Sequence, residues 1–311
     1  MKRRNIVILT GLAIAYALIS FWVGQQAYSW MPPQASAEAV LVDQLFSFLV
    51  TIGMFIFLGV TGTLLFSTLF QRAEKYDTSD GPPMEGYVPL EIVWTAIPFA
   101  LVIWIGVYSF QIYQQMGILG PMDHLSMGMA TAEAAPMSSE LVVAESVAAS
   151  SSPIQVQARQ WAWEFYYPDQ EVASTELHLP VNQRAKLRLS SEDVLHGFYV
   201  PAFRVKQDVV PGRDINFEFT PIREGRYRLR DSEYSGTYFA ANQTNVVVES
   251  AEDYQEWLAI AAAQPPQAAE NPAFDEFQRA EEHPISLGWE SIKPEPAPIV
   301  NYASSEKDLH E

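Results

Sequence analysis

Two long stretches of the chain, Gln44 to Phe70 and Ile92 to Gln115, contain no charged side chain. As helices, each is long enough to cross roughly 30 Å of hydrocarbon. A third uncharged run, Ile6 to Gly24 ("IVILTGLAIAYALISFWVG"), follows Lys2, Arg3 and Arg4. A basic start before an apolar core also suits a signal peptide, and an Ala-x-Ala cleavage pattern stands at Ala35–Ala37. The apolar core exceeds the usual signal length and ends well before that pattern, so a retained anchor helix is favoured. Arg72 and Lys75 lie in the loop between the second and third runs. Basic loops stay cytoplasmic, which puts everything after about residue 116 on the far side of the membrane.

Composition narrows the chemistry. The formal net charge of −18 disfavours nucleic-acid binding, which needs Lys and Arg against phosphate. The chain has no cysteine, which removes disulfides, thiolate nucleophiles, iron–sulfur clusters and thiolate-held zinc or copper. Five segments follow from these shifts in composition: an anchor or signal segment (1–37), a transmembrane helical hairpin (38–117), a low-complexity linker (118–153), a polar domain (154–264) and an acidic tail (265–311) expected to be disordered. The linker holds Met122, His124, Met127 and Met129. These are soft donors that suit Cu(I), although a plain spacer that happens to contain Met is the simpler reading.

The polar domain alternates in steps of two. In "RAKLRLS", Ala185, Leu187 and Leu189 share one face, with Lys186 and Arg188 on the other. "INFEFT" repeats the pattern with Ile215, Phe217 and Phe219. Turn signals at Pro211-Gly212, Glu224-Gly225 and Ser235-Gly236 separate such runs and predict an all-β sandwich or barrel. A short amphipathic helix, "AEDYQEWLAIAAA", closes it.

Four stretches together resemble subunit II of the haem–copper respiratory oxidases. They are "PLEIVWTAIP" (89–98), "QWAWEFYYP" (160–168), "SEDVLHGFYVPAFRVKQDVVPGR" (191–213) and "DSEYSGTYFAAN" (231–242), and the likeness runs in order over roughly residues 40–260. The resemblance implies a cupredoxin-like all-β sandwich following the transmembrane helices. In cytochrome c-oxidising members, that sandwich holds a two-copper centre built from two bridging thiolates, two imidazoles, a Met sulfur and a Glu carbonyl. At the matching positions this chain keeps His196 and Glu233 but has Asp231 and Ser235 for the cysteines, Phe239 for the second histidine and Asn242 for the methionine. With four of six ligands replaced, both sulfur bridges among them, the two-copper centre is expected to be absent.

The resemblance then points to the copper-free, quinol-oxidising branch of the family. There, quinol feeds haem in subunit I, and subunit II is structural. The expected assembly reduces O2 to water with proton pumping. Its haems and one copper lie in subunit I, subunit III and membrane lipid are further partners, and no cofactor is bound by this chain alone. The stretch "DGPPMEGYVPLEIVWTAIP" resembles cyanobacterial members. The membrane is therefore the bacterial cytoplasmic or the thylakoid membrane, crossed more than once, with the sandwich on the periplasmic or lumenal side. By resemblance, Glu91 marks the mouth of a proton path, while its residue type alone equally suits a helix start. Glu233 by resemblance offers its side chain to a magnesium or manganese ion between subunits.

Alternatives stay open at this level. They are a cytochrome c oxidase subunit with another electron path, and a membrane-anchored copper carrier or assembly protein. His196, Asp231 and Asn242 gathered at one point would suit a harder ion. Otherwise His196 is structural, bonded to nearby backbone, while Asp231 and Ser235 bond within the loop and Phe239 fills the vacated volume. Trp161 and Trp163, an electron path in copper-bearing relatives, are expected to serve packing here. Residues 154–250 carry thirteen acidic against eleven basic side chains, so most of the −18 lies in the linker and tail. Arg226, Arg228 and Arg230 form a basic stripe, an unpromising landing site for a basic protein donor.

Overall fold

The computed structural model describes residues 3–72, 76, 86–117, 152–282 and 292–303. The soft donors of the linker, Met122 to Met129, lie outside the described residues. The chain divides into two units: 1–31 with 41–115, and 32–40 with 116–311.

The first unit is helical. Helix α1 (Arg3–Gln26), helix α2 (Ala37–Phe70) and helix α3 (Val88–Met116) are each long and apolar enough to cross a membrane. Their exposed faces carry Leu9, Phe57, Leu69, Phe99 and Val102, as lipid contact requires. α1 meets α2 at Gly24, where an added Cβ would sit 1.9 Å from Thr51 Oγ1 and 3.0 Å from the Ser47 carbonyl. Ser47 Oγ donates to the Gly24 carbonyl at 2.8 Å, the small-residue crossing that holds helices together in lipid. Phe48 of α2 packs edge-on to Trp104 and Tyr108 of α3, with ring centroids 5.1 and 5.0 Å apart. Glu91 lies in the exposed first turn of α3, and Thr95 Oγ1 donates to its backbone carbonyl.

The second unit is a sandwich of two five-stranded sheets. The strands of the first are β1 (Ile154–Arg159), β2 (Ala162–Tyr167), β3 (Val172–Ser174), β5 (Ala185–Ser191) and β8 (Ile215–Phe219), in the order β3-β2-β1-β5-β8. The second, with β4 (Leu177–Pro180), β6 (His196–Val200), β7 (Val205–Val209), β9 (Gly225–Asp231) and β10 (Gln243–Glu249), runs β4-β10-β9-β6-β7. The alternation read from the sequence holds: Ala185, Leu187 and Leu189 are buried, as are Phe217 and Phe219. Between the sheets Phe198 packs against Phe217 at 5.7 Å and Trp163 at 6.0 Å. A mostly antiparallel sandwich of this kind is the expected outcome of period-two strands broken by Gly and Pro turns.

Two segments join the sandwich from beyond its strands. The connection between α1 and α2 is built into its edge: Ala35 N donates to the Ala202 carbonyl at 3.2 Å, Ile222 N to the Ala35 carbonyl at 2.9 Å, and Ser36 Oγ to the Phe203 carbonyl at 2.9 Å. The buried Glu38 carboxylate accepts from Thr220 N at 3.1 Å and from Arg184 Nη1 at 3.3 Å. At the other end, helix α4 (Ala251–Ala263), capped by the Ser250 hydroxyl on Asp253 N, stacks Trp257 on His178 with centroids 3.8 Å apart.

Within the tail, 265–311, the described residues 265–282 and 292–303 are ordered, which corrects the expectation of disorder for those stretches. Among its described residues, β11 (Gln267–Ala268) pairs with β12 (Ile299–Val300), and helix α5 (Pro272–Glu282) lies between them in sequence. Backbone bonds from Asn301 and Tyr302 to Ala173 tie this segment to the open edge of the first sheet, and one from Glu295 to Gln160 ties it to the β1–β2 turn. Composition marked the tail as polar, but an edge strand leaves unpaired N–H and C=O groups that a polar, Pro-rich chain can still satisfy.

Candidate functional site

Strand β6 begins at His196 and pairs with β9, which ends at Asp231; Phe198 stands opposite Asp231. The loop from Ser232 to Asn242 joins β9 to β10 and is closed by Asp231 N donating to the Asn242 carbonyl at 3.1 Å. It lies close against β6, with Ser232 N donating to the Gly197 carbonyl at 3.0 Å. Gly236 sits at φ +120, and a Cβ there would approach Trp161 Cζ2 to 2.7 Å, so the tight turn needs glycine.

Inside the loop four polar side chains converge. His196 Nδ1 lies 2.7 Å from Asp231 Oδ2, which also accepts from the Ser235 hydroxyl at 2.9 Å and from Asn242 Nδ2 at 3.1 Å. Asp231 Oδ1 accepts from the backbone N–H of Gly197 at 2.7 Å and of Glu233 at 3.1 Å. On its other side the imidazole Nε2 meets Asp193 Oδ1 at 2.9 Å, and Asp193 is itself held by Gln160 N and Val194 N, each at 2.6 Å. His196, Asp231, Ser235 and Asn242 are all buried.

Electrostatics follow from this geometry. Burial opposes a charge on His196, but its hydrogen bonds to Asp193 and Asp231 outweigh that cost and push its pKa up to about 9. Burial likewise works against ionised Asp231 and Asp193. Their bonds to the imidazole and to backbone N–H groups prevail, so both carboxyls are held below the ordinary carboxylate range. The cluster is an imidazolium between two carboxylates.

The sequence expectations divide at this point. His196, Asp231, Ser235 and Asn242 are brought together. His196 is bonded to carboxylates rather than to backbone. Phe239 opens a short 3-10 turn, half-buried and edge-on to the exposed Tyr234 at 5.3 Å, outside the buried apolar core. The space beside His196 is taken by the Ser235 and Asn242 heads instead. Glu233 turns its carboxylate to Lys206 Nζ at 2.7 Å. Asp193 was not anticipated; the signal was a carboxylate three residues before the histidine in "DVLH".

Trp161 and Trp163 lie beneath the loop as packing. Their indole N–H groups donate to Ser235 Oγ at 3.0 Å and to the Asn242 carbonyl at 3.3 Å. Trp161 is 1% exposed, covered by Tyr238, which in turn packs against Phe277 of α5. Among the described residues no group of three or more His, Cys, Asp or Glu is placed to hold a metal ion. The sulfur-rich donor set of a two-copper centre does not fit these side chains, because none of them carries sulfur.

Apolar spanning helices followed by a two-sheet sandwich define the class: a membrane-anchored protein with a cupredoxin-like domain. The family model described as "Cytochrome C oxidase subunit II, transmembrane domain" matches residues 6–112, and "Cytochrome C oxidase subunit II, periplasmic domain" matches residues 170–251. Cytochrome c oxidase subunit 2 of Thermostichus vulcanus is 38% identical over 269 residues, covering 78% of this chain and 82% of the relative. The subunit of the same name from Synechocystis sp. is 35% identical, covering 85% of each chain. Quinol oxidase subunit 2 of Bacillus subtilis is 24% identical, covering 68% of this chain and 60% of the relative. The chain belongs to the cytochrome c oxidase subunit II family, the subunit II of haem–copper terminal oxidases. It is therefore a membrane protein that associates with subunit I in an oxidase complex.

Proposed function

We propose that this chain is subunit II of a quinol-oxidising terminal oxidase that reduces O2 to water with proton pumping. Its own role is structural, together with proton delivery at Glu91. The observation that carries the reading is the donor set of the loop. Hydroxyl, amide and carboxylate groups, already engaged with one another, stand where a copper pair needs bridging sulfur. Burial of Trp161 and Trp163 adds support, because an electron path from a soluble donor needs an accessible aromatic face. The relatives of higher identity carry the cytochrome c name, but donor choice rests on ligands rather than on overall likeness.

The deciding measurement is oxygen uptake by the purified complex with quinol or with reduced cytochrome c. Turnover with quinol alone is expected. Turnover only with cytochrome c would refute the reading and favour an electron path that bypasses copper.

In this assembly quinol, subunit III and lipid are further partners, and haems and one copper reside in subunit I. The chain crosses a bacterial cytoplasmic or thylakoid membrane several times, with the sandwich on the periplasmic or lumenal face. Glu91, a carboxylate at the water–hydrocarbon boundary, gathers protons for subunit I. Glu91→Ala slows quinol-driven turnover; an unchanged rate in the assembled complex would remove that role. Glu233 leaves Lys206 to ligate an interface magnesium or manganese ion. A full complement of interface metal after Glu233→Ala would remove that one.

A further inference from the structure

Three features of the His196 cluster point beyond a hydrogen-bond plug. First, its donors share a point: Asp231 Oδ2 touches His196 Nδ1, Ser235 Oγ and the Asn242 amide within 3.1 Å, and that amide is 3.5 Å from Nδ1. Second, Asn242 is 1% exposed, yet its side-chain oxygen has no hydrogen-bond partner. A buried amide oxygen left unpaired costs about 1–3 kcal/mol unless something in the folded protein engages it. The end that faces the cluster is Nδ2, which donates to Asp231 Oδ2, so an ion there takes a half-turn of the amide that gives up this bond, brings the oxygen to the donors and carries Nδ2 to the unpaired position. Third, Nε2 of His196 is bonded to Asp193, which is locked by two backbone N–H groups. A ring nitrogen given to a carboxylate is the arrangement that aims the other nitrogen at a metal and raises its basicity.

We propose that His196 Nδ1, Asp231 Oδ2, Ser235 Oγ and the Asn242 amide oxygen form a site for one divalent first-row cation of the manganese-to-zinc range.

The donor chemistry selects this class. One imidazole with three oxygens suits a hard or borderline divalent ion, and without thioether or thiolate it does not hold Cu(I) or a mixed-valence pair. The charge balance agrees. Two carboxylates, Asp193 and Asp231, face at most one imidazolium, so the cluster is negative in either state of the ring. A divalent ion that replaces the Nδ1 proton brings it to neutrality; the cation enters and the proton leaves to solvent. Expansion is small, because Nδ1 and Oδ2 at 2.7 Å need to separate by only about half an ångström around an ion with bonds near 2.0–2.2 Å. Only two of the donors belong to the strongest metal-binding types, so the site is open to metal stripping and refilling. The site is independent of the electron donor and separate from any ion on the Glu233 carboxylate.

The test uses the purified oxidase complex, stripped with chelator and titrated with Mn(II) or Zn(II). Binding is read by electron paramagnetic resonance of bound manganese and by elemental analysis. One saturable equivalent beyond subunit I and interface metal is expected in the parent protein. Asp231→Asn and Asn242→Leu remove it, and the milder Ser235→Ala weakens it about tenfold, which keeps the test readable if a larger change impairs assembly. Asp193→Asn, which does not touch the ion, weakens binding about 10–100-fold through the imidazole. Glu233→Ala leaves the equivalent in place. Absence of a saturable equivalent in the parent complex, or its survival in both Asp231→Asn and Asn242→Leu, would overturn the proposal.

Discussion

With metal removed, the buried His196 cluster makes the stability of the β domain fall as the solution becomes alkaline. The folded pKa of His196, about 9, lies above its ordinary 6.5. A group raised in this way contributes stability that is fully present below pH 6.5 and is lost as pH rises through 9. Between those limits the folded state holds about one more proton than the unfolded chain, a slope of roughly −1.4 kcal/mol per pH unit and on the order of 3 kcal/mol in all. Asp193 and Asp231 have depressed values, so their share is present above the ordinary 3.8 and lost as pH falls through their folded values. These are the same bonds counted from the other partner and are not added. The contribution is therefore complete between pH 3.8 and 6.5. Denaturant titration of the full chain in detergent with chelator present, followed by tryptophan fluorescence and read as the difference between the parent protein and His196→Gln, measures this. The parent protein should lose stability from pH 6.5 to 9 while His196→Gln stays flat. A flat parent profile, or an equal slope in His196→Gln, would refute the ion-pair account.

Three further outcomes follow from particular contacts. Glu38→Ala removes a buried carboxylate that accepts from Thr220 N and Arg184; denaturation should show a loss of about 2 kcal/mol. Gly236→Ala places a Cβ 2.7 Å from Trp161 at φ +120, and a loss on the order of 1–3 kcal/mol is expected in the same assay. Returning Asp231→Cys, Ser235→Cys, Phe239→His and Asn242→Met together restores the donors of the resembling copper loop. Added copper should then give thiolate-to-copper absorption, and a colourless protein that binds no copper would show that the loop frame no longer supports such a site.

The strands were legible because half-burial writes itself as alternation; Leu187, Leu189, Phe217 and Phe219 face inward as their spacing required. The spanning helices were legible because lipid tolerates no charge along their length. The spacing in "DVLH" hinted at Asp193 beside His196, but the backbone N–H that fixes its carboxylate comes from Gln160, 33 positions away, which no local pattern shows. Nor could such a pattern place Phe239. An apolar residue in a loop has no period to read, and its neighbour Tyr234 was exposed rather than inside. The tail misled for a related reason. Its polar composition forecast how much apolar surface it could bury, whereas backbone bonds to Ala173 and Gln160 keep it in place.

The connection between α1 and α2 bears on the order of events during synthesis. Ala35 and Ser36 are fully buried, and each is bonded to backbone of the sandwich. They are also the first two residues of the Ala-x-Ala pattern that a leader peptidase would read. A protease needs an extended, accessible strand, so the pattern is open only until the far end of the chain has folded around it. Folding and processing thus compete for the same three residues. A cut after Ala37 would also leave the Ala202 and Phe203 carbonyls and the Ile222 N–H with no partner from Ala35 or Ser36.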